Sequence, residues 1–197
     1  MQRFLLMIDR LSAWTGKITA WVIVALTLLI SYDVVMRYLS KPLGEPIRAI
    51  WFTYNYSYDM AYYLYAIIFM IGGAYALSRG QHVRGDIFYR NWPVKVQASI
   101  DLVLYLVAFF PGILALVSVG AQWAGYSWSI QERSFTSAAA PPIYPLKTII
   151  PVAATLMAIQ GAAETIRAFQ ALRTGVWPPR LSDVEETETI LARQSQA

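Results

Sequence analysis

Four long apolar blocks dominate the pattern of hydrophobic and polar residues along this chain. They run over about residues 18–38, 60–77, 100–121 and 143–168, and charged residues collect between them. A helix needs about 20 apolar residues to cross the hydrocarbon core of a bilayer. The pattern therefore predicts an all-α integral membrane protein, in which residues 18–173 form a domain of four transmembrane helices.

Residues 1–17 precede the first block and have a mixed composition. Apolar residues such as Phe4 and Ile8 recur at helical spacing, with charged residues such as Asp9 between them. This pattern predicts an amphipathic helix that lies at the membrane interface. A signal peptide is the alternative, because a basic start leads into an apolar run, but no small-residue cleavage site closes that run.

The other connections differ in character. Prolines and a glycine at residues 41–46 predict a turn. The aromatic residues of 47–58 predict a segment lying flat on the outer face, or alternatively a platform for sugars. Residues 129–142 are small and polar, and the pattern leaves open whether they re-enter the membrane. Residues 174–197 become acidic and polar, which predicts a poorly ordered cytoplasmic tail.

Basic residues are divided unequally between the two sides that the four spans define. Ten Lys and Arg residues fall on the side that holds the N-terminus, the 79–95 connection and the exit of the fourth span, against five on the other side. The positive-inside rule then places both termini in the cytoplasm. The same residues explain the pI near 9.3, so membrane lipids, and not nucleic acid, are the expected anionic partner.

The composition argues against catalysis by this chain. It is 57% hydrophobic and 14% charged, with one histidine and no cysteine. A single histidine cannot supply both axial ligands of a membrane b-type haem. The motifs of phosphate-binding loops, zinc proteases and serine hydrolases are missing from the sequence. We therefore expect no catalytic, cofactor-binding or metal-binding residues.

Polar residues near the span ends, and small residues at the end of the second span and within the fourth, indicate contacts between helices or subunits. Asp33 and Arg37 share a helix face and are expected to pair at the membrane edge, and small residues let another helix approach closely. The candidate subunit contacts are Asp33, Arg37, Gly72, Gly73, His82, Arg84, Asp86, Ala154, Ala158 and Ala162. Tryptophan concentrates where water meets hydrocarbon, and the candidate lipid contacts are Trp14, Trp51, Trp92, Trp123, Trp128 and Trp177.

Two motifs together resemble those of a known family. The first span ends in Y-D-V-V-M-R-Y at Tyr32–Tyr38, and the second runs into G-G-A-Y-A-L-S-R-G-Q-H-V-R-G-D-I-F-Y at Gly72–Tyr89. With two further spans, residues 1–173 resemble the small membrane subunit, DctQ or Q, of tripartite ATP-independent periplasmic (TRAP) transporters. The aromatic connection at Arg48–Asp59 is longer than the usual one in that family. The resemblance therefore does not indicate whether this segment contacts the binding protein.

The resemblance implies a bacterial inner-membrane protein that braces a large membrane (M) subunit. It also implies sodium-driven uptake of an organic acid anion, which a periplasmic substrate-binding protein delivers. The alternative function is an autonomous small carrier or a homo-oligomeric channel, with Pro111, Gly112 and Gln160 along its path. A membrane enzyme or cytochrome is the third class, and the composition argues against it.

Overall fold

The computed structural model describes residues 2–43, 56–80, 89, 91–137, 139–181 and 183–184. Four long helices dominate this part of the chain: α1 (Gln2–Leu43), α2 (Ser57–Ser78), α3 (Val94–Ser129) and α4 (Tyr144–Thr174). Each is long and apolar enough to cross a membrane. The predicted all-α fold with four spans is therefore confirmed. Part of the aromatic connection, the motif residues His82, Arg84 and Asp86, and the last residues of the tail lie outside the described residues.

α4 is the central helix of the bundle. It contacts α3, α2 and α1, whereas α1 packs mainly against α2. α1 and α2 run in opposite directions, because Ser57 bonds to Asp33 while Tyr75 lies beside Gly16. α3 and α4 do so as well, because Phe109 lies beside Gly161 while Gly120 lies beside Ile150. α2 and α4 run in the same direction, because Tyr63 bonds to Pro142 while Gly73 lies beside Met157. The start of α1 and the end of α4 therefore meet at one end, which we call the terminal end. The start of α2 and the loop between α3 and α4 meet at the other, which we call the loop end.

Small side chains explain how α4 reaches its central position. An added Cβ on Gly161 would collide with the ring of Phe109 on α3, and one on Gly73 of α2 would collide with Met157. The nearly fully buried alanines of α4 are Ala153, Ala154, Ala163, Ala168 and Ala171. Close helix approach supplies the van der Waals contacts that hold helices together in lipid, where apolar burial alone gives little advantage.

α3 contains a π-helical turn at Tyr105–Phe109, shortly before Pro111. Proline lacks an N–H group, and its ring crowds the carbonyl group four residues earlier. A widened turn at that point accommodates the ring without ending the helix. The helix continues to Ser129 and is therefore longer at both ends than the predicted span of 100–121.

α1 continues through the boundary that was expected between residues 17 and 18. Its 42 residues correspond to a length of about 63 Å, which is twice the hydrocarbon thickness of about 30 Å. The segment 1–17 is therefore the beginning of α1 and not a separate helix. Its placement at the membrane interface stays a prediction.

The beginning of α1 buries a mixed face against the bundle. Asp9 and Ser12 are buried together with Leu5 and Ala13. Phe4 and Trp14 are exposed, as are the basic residues Arg3, Arg10 and Lys17. Apolar side chains that face outward are the arrangement that lipid favours, and the buried polar side chains must then find partners inside.

Candidate functional site

A buried set of charged and polar side chains joins α1 to α4 at the terminal end. Gln160, Glu164 and Arg167 recur on one face of α4 with the spacing of successive helical turns. Asp9 and Ser12 lie opposite them on α1. All five residues are at most 4% exposed. We call these five residues, together with Arg180, the terminal network.

Arg167 lies at the centre of the terminal network. Its Nη2 is 2.6 Å from Oδ2 of Asp9, and its Nη1 is 2.6 Å from Oε1 of Glu164. Gln160 donates from Nε2 to Oδ1 of Asp9 at 3.0 Å and accepts a hydrogen bond from Ser12 at 2.8 Å. Arg167 Nε is buried and has no hydrogen-bond partner among the described residues. The bonds of Asp9 and Ser12 with Gln160 and Arg167 hold α1 in one register against α4.

The segment after α4 completes the terminal network. Arg180 places Nη2 2.8 Å from Oε2 of Glu164, and the N–H of Leu181 donates to Oδ2 of Asp9 at 3.2 Å. Two carboxylates then face two guanidinium groups, so their formal charges cancel. An unbalanced charge is costly at membrane depth. The segment after α4, residues 175–181, which we call the closing segment, therefore contributes to the charge balance of the terminal network.

The same segment also reaches α3. Gly175, directly after the end of α4, adopts a φ of +74° and donates from its N–H to the carbonyl of Ala171 at 2.8 Å. The left-handed conformation favours glycine and turns the chain back toward the bundle. Trp177 then donates from Nε1 to Oε1 of Gln97 at 3.2 Å. Contacts with the bundle thus extend past residue 173, the predicted end of the membrane domain, to Leu181.

A single carboxylate organises the loop at the opposite end. Asp59, in the first turn of α2, is 1% exposed. Its Oδ1 accepts hydrogen bonds from Ser134 at 2.7 Å and Thr136 at 2.5 Å, and its Oδ2 accepts one from Ser137. We call these four residues the Asp59 cage. It ties the loop after α3 to the start of α2.

An ion pair supports the same loop from α4. Lys147 Nζ lies 2.5 Å from Oε2 of Glu132, to which Ser127 also donates at 2.7 Å. The hydrogen bond from Lys147, with a smaller contribution from Ser127, lowers the pKa of Glu132 below its ordinary value. The lysine ammonium group also lies 4.2 Å from the ring centroid of Trp123. This cation–π contact further stabilises the position of Lys147.

The structure contains the expected pair of Asp33 and Arg37. Arg37 Nε lies 2.9 Å from Oδ2 of Asp33, and Ser57 donates to the other carboxylate oxygen at 2.7 Å. The pair therefore connects α1 to α2 within this chain. Its predicted role in contact with another subunit stays a prediction.

The small residues proposed as subunit contacts occupy different environments. Gly73 packs against Met157, and Ala154 is buried, so both serve contacts within the chain. Gly72 has no atom within 4 Å of a Cβ built on it, and Ala158 and Ala162 are half-buried. Gly72 and the two half-buried alanines therefore stay candidates for an outside contact.

The predicted lipid-contact tryptophans fall into two groups. Trp14, Trp92, Trp123 and Trp128 are exposed on the bundle, as a lipid contact requires. Trp177 is half-buried and bound to the bundle through its indole N–H. Trp51 lies outside the described residues. Lipid contact itself stays a prediction for all of them.

The sequence analysis missed the terminal network and the Asp59 cage as assemblies. The helical spacing of Gln160, Glu164 and Arg167 was a usable signal, as was the placement of Asp9 and Ser12 on one face of a helix. No such signal connects Asp59 to hydroxyl groups more than 70 residues away. Within the described part of the chain, no cluster of His, Asp and Glu could hold a metal ion.

A family model named "Tripartite ATP-independent periplasmic transporters, DctQ component" matches residues 26–171, which is more than half of the chain. The chain belongs to the DctQ family. The match confirms the resemblance and identifies the chain as a small membrane subunit of a TRAP transporter, in a family of transporter components. No curated protein and no solved structure matches it.

The matched range contains only part of the terminal network. Glu164 and Arg167 lie within the matched residues, whereas Asp9 and Arg180 lie outside them. The Asp59 cage and the loop at residues 130–143 lie entirely within the match. The partners that neutralise the α4 side of the network therefore come from two segments that flank the matched region of this DctQ-family chain.

Proposed function

We propose that this DctQ-family chain braces the large membrane (M) subunit of a TRAP transporter in the bacterial inner membrane. The assembled transporter uses a sodium gradient to take up an organic acid anion, which a periplasmic substrate-binding protein delivers. Both termini lie in the cytoplasm, in accord with the excess of Lys and Arg at the terminal end.

The pairing of buried charges within the chain is the observation that carries this proposal. Asp9, Glu164 and Arg167 bond to one another, and Asp59 is surrounded by hydroxyl groups. Ionisable groups on a transport path must exchange partners with a passing ion or substrate. Groups that are engaged within one bundle instead stiffen it, which is what a brace requires.

The outward surface of the helices supports the same proposal. Only 6% of the most apolar window of α1 and of α3 is buried inside the chain, against 33% for α4. The outer helices therefore present extensive apolar surface, which suits lipid on some faces and a large helical partner on others. The small residue Gly72, beside a groove between α1 and α2, is one place where a partner helix can approach closely.

The alternative of an autonomous carrier has no geometric support. Gly112 is exposed on the outside of α3, with no atom within 4 Å of a Cβ built on it. Gln160 is buried and bonded to Ser12 and Asp9 on the other side of the bundle. The two residues do not line a common path.

The test separates a brace from a carrier. A tagged form of this chain should co-purify with the M subunit from cells that express both, and vesicles that contain both should take up substrate when the binding protein is added. Vesicles with this chain alone should show no uptake. Uptake by the chain alone, or a purified M subunit that is equally stable and active without it, would contradict the proposal.

A further inference from the structure

A narrow groove runs along the surface between α1 and α2 near the terminal end. It has a volume of about 400 Å³, and small and apolar residues of both helices line it, among them Ala20, Ile23, Ile68 and Gly72. Ile23 and Ile68 are the lining residues of their helices that lie farthest from the terminal end. The groove therefore extends from the terminal end toward the middle of the predicted spans.

The groove is too narrow to hold a helix. Its lining on α1 extends from Ala13 to Ile23, a rise of ten residues or about 15 Å. A volume of about 400 Å³ over that length gives a mean cross-section of about 27 Å² and a width of about 6 Å, whereas a helix with its side chains is about 10–12 Å wide. A helix of another subunit can pass over the rim at Gly72 but cannot enter, whereas a single hydrocarbon chain fits this width.

Two cationic side chains line the part of the groove nearest to the terminal end, which we call its mouth. Lys17 on α1 is exposed and makes no ion pair with a described residue. Arg79 directly follows α2 and is half-buried. Side chains of a helix lean toward its N-terminus, so Lys17 extends toward the same end as Arg79. Among the described residues that line the groove, none is acidic, so the mouth is positively charged.

The contact between α1 and α2 holds this mouth in place. Gly16 lets the ring of Tyr75 lie directly against α1, because an added Cβ would collide with that ring. The guanidinium carbon of Arg79 lies 5.6 Å from the centroid of the same ring, which is a cation–π contact. The cations at the mouth therefore adjoin a packed wall of the groove.

Two tryptophans beside Lys17 indicate the level of the lipid headgroups. Trp14 and Trp21 lie one helical turn before and after Lys17 on the same side of α1, and they are 63% and 75% exposed. Tryptophan concentrates where hydrocarbon meets the headgroups. Lys17 thus lies at the level of lipid phosphate groups, and the apolar part of the groove extends from there into the layer of acyl chains.

We propose that this groove binds an anionic phospholipid of the cytoplasmic leaflet, with one acyl chain between α1 and α2 and the phosphate group between Lys17 and Arg79. Basic pockets between membrane helices on the cytoplasmic side suit such headgroups. The inference uses only one part of the proposed function, the cytoplasmic placement of the terminal end. It goes beyond that function because the ligand is a lipid and not a subunit.

A second groove provides a comparison within the same chain. It lies between α2, α3 and α4 toward the loop end, and aromatic residues such as Tyr65 and Phe69 line it. Lys147 also lines it, but its ammonium group is paired with Glu132 at 2.5 Å. A lipid at the second groove gains no comparable attraction for an anionic headgroup. A preference for anionic headgroups therefore reports on the groove between α1 and α2.

Native mass spectrometry of the full-length chain in detergent measures lipid binding without the M subunit. Phosphatidylglycerol and phosphatidylcholine with the same acyl chains are titrated separately. Phosphatidylglycerol should bind about tenfold more tightly, because two basic residues attract its headgroup. Lys17→Gln and Arg79→Gln should each lower this preference by about threefold. Arg173→Gln, at an exposed position of α4 near the same end, should leave it unchanged.

A second pair of variants tests the part of the groove that holds the acyl chain. Gly72→Leu fills the groove without a clash, since no atom lies within 4 Å of a Cβ built on Gly72. It should weaken the binding of phosphatidylglycerol by about tenfold, because several CH₂ groups lose their buried position. Gly125→Leu, at an exposed glycine of α3 with equally open surroundings, is the matched control. Equal affinities for the two lipids, or unchanged binding of phosphatidylglycerol by Gly72→Leu, would overturn the inference.

Addition of the M subunit distinguishes a lipid site from a subunit contact. Phosphatidylglycerol should stay bound when the M subunit associates with this chain, because a helix cannot enter the groove. Its displacement would overturn the inference and assign the groove to the interface between the subunits. Failure of the chain to associate with an M subunit would contradict the proposed function, but the lipid preference measured on the chain alone would still support the lipid site.

Discussion

The terminal network and the Asp59 cage are both built on buried carboxylates, but they balance the charge in different ways. At the terminal end, Arg167 and Arg180 face Asp9 and Glu164 in ion pairs. At the loop end, neutral hydroxyl groups from the loop donate to Asp59. Ion pairs between helices set the position of one helix against another. A ring of hydroxyl donors determines the course of a short loop.

The difference indicates a division of labour between the two ends. Breaking an ion pair leaves a bare charge in a buried place, which is one of the largest costs a single substitution can cause. Removing a hydroxyl bond to a carboxylate costs less and acts locally. We therefore expect the terminal end to determine the stability of the bundle, and the loop end to determine the surface that it presents.

Replacement of Arg167 should have the largest effect. Arg167→Met leaves the carboxylates of Asp9 and Glu164 close together without their central cation, and we expect the free energy of unfolding to fall by about 3–5 kcal/mol. Detergent-mediated unfolding, followed by circular dichroism, measures this. Arg173→Met, at an exposed position of the same helix, is the matched control. Similar stability of the two variants would mean that the network does not hold the bundle together.

Replacement of Asp59 should have a smaller and more local effect. Asp59→Ala removes the acceptor of three hydroxyl groups, with an expected loss of about 1–3 kcal/mol. Hydrogen exchange should accelerate at the amide of Ser134 and much less along α4. Asp59→Asn keeps one acceptor oxygen, so its stability should lie between that of the unmodified protein and that of Asp59→Ala. Faster exchange throughout α4 would contradict the division between the ends.

Replacement of Arg180 tests whether the closing segment is part of the network. Its side chain is 20% exposed, so solvent weakens its pairing, and we expect Arg180→Ala to cost on the order of 1 kcal/mol. A double-mutant cycle with Glu164→Gln should show coupling between the two positions. Independent effects of the two substitutions would place Arg180 outside the network.

A change of pH should produce the smallest effect, at the loop end. The pKa of Glu132 is lowered from its ordinary 4.5 in the folded protein, so the unfolded chain takes up this proton at a higher pH. The stabilisation by Lys147 is therefore complete above that ordinary value and is lost as the pH falls through the lowered one. A series of melting temperatures in this acidic range measures the loss. In Glu132→Gln this component should vanish, and a curve identical to that of the unmodified protein would contradict the assignment.

The helices were predictable because the signal for a span is local. The length of each apolar block can be read directly from the sequence. α2 (Ser57–Ser78) accordingly differs from the predicted 60–77 by only a few residues. The pair of Asp33 and Arg37 was predictable for the same reason, since the two residues lie one helical turn apart. The change of composition near residue 17 did not show that α1 continues through it, because a helix does not have to end where its polarity changes.

The sequence by itself determined the class of protein, the four spans and the family. These follow from apolar length and from motifs of neighbouring residues. Only the tertiary structure decided that Asp9 meets Arg167, which is 158 positions away, and that Ser134 and Thr136 meet Asp59. Such partners depend on the order and register in which the helices pack. The burial that makes an unpaired charge costly exists only after they have packed.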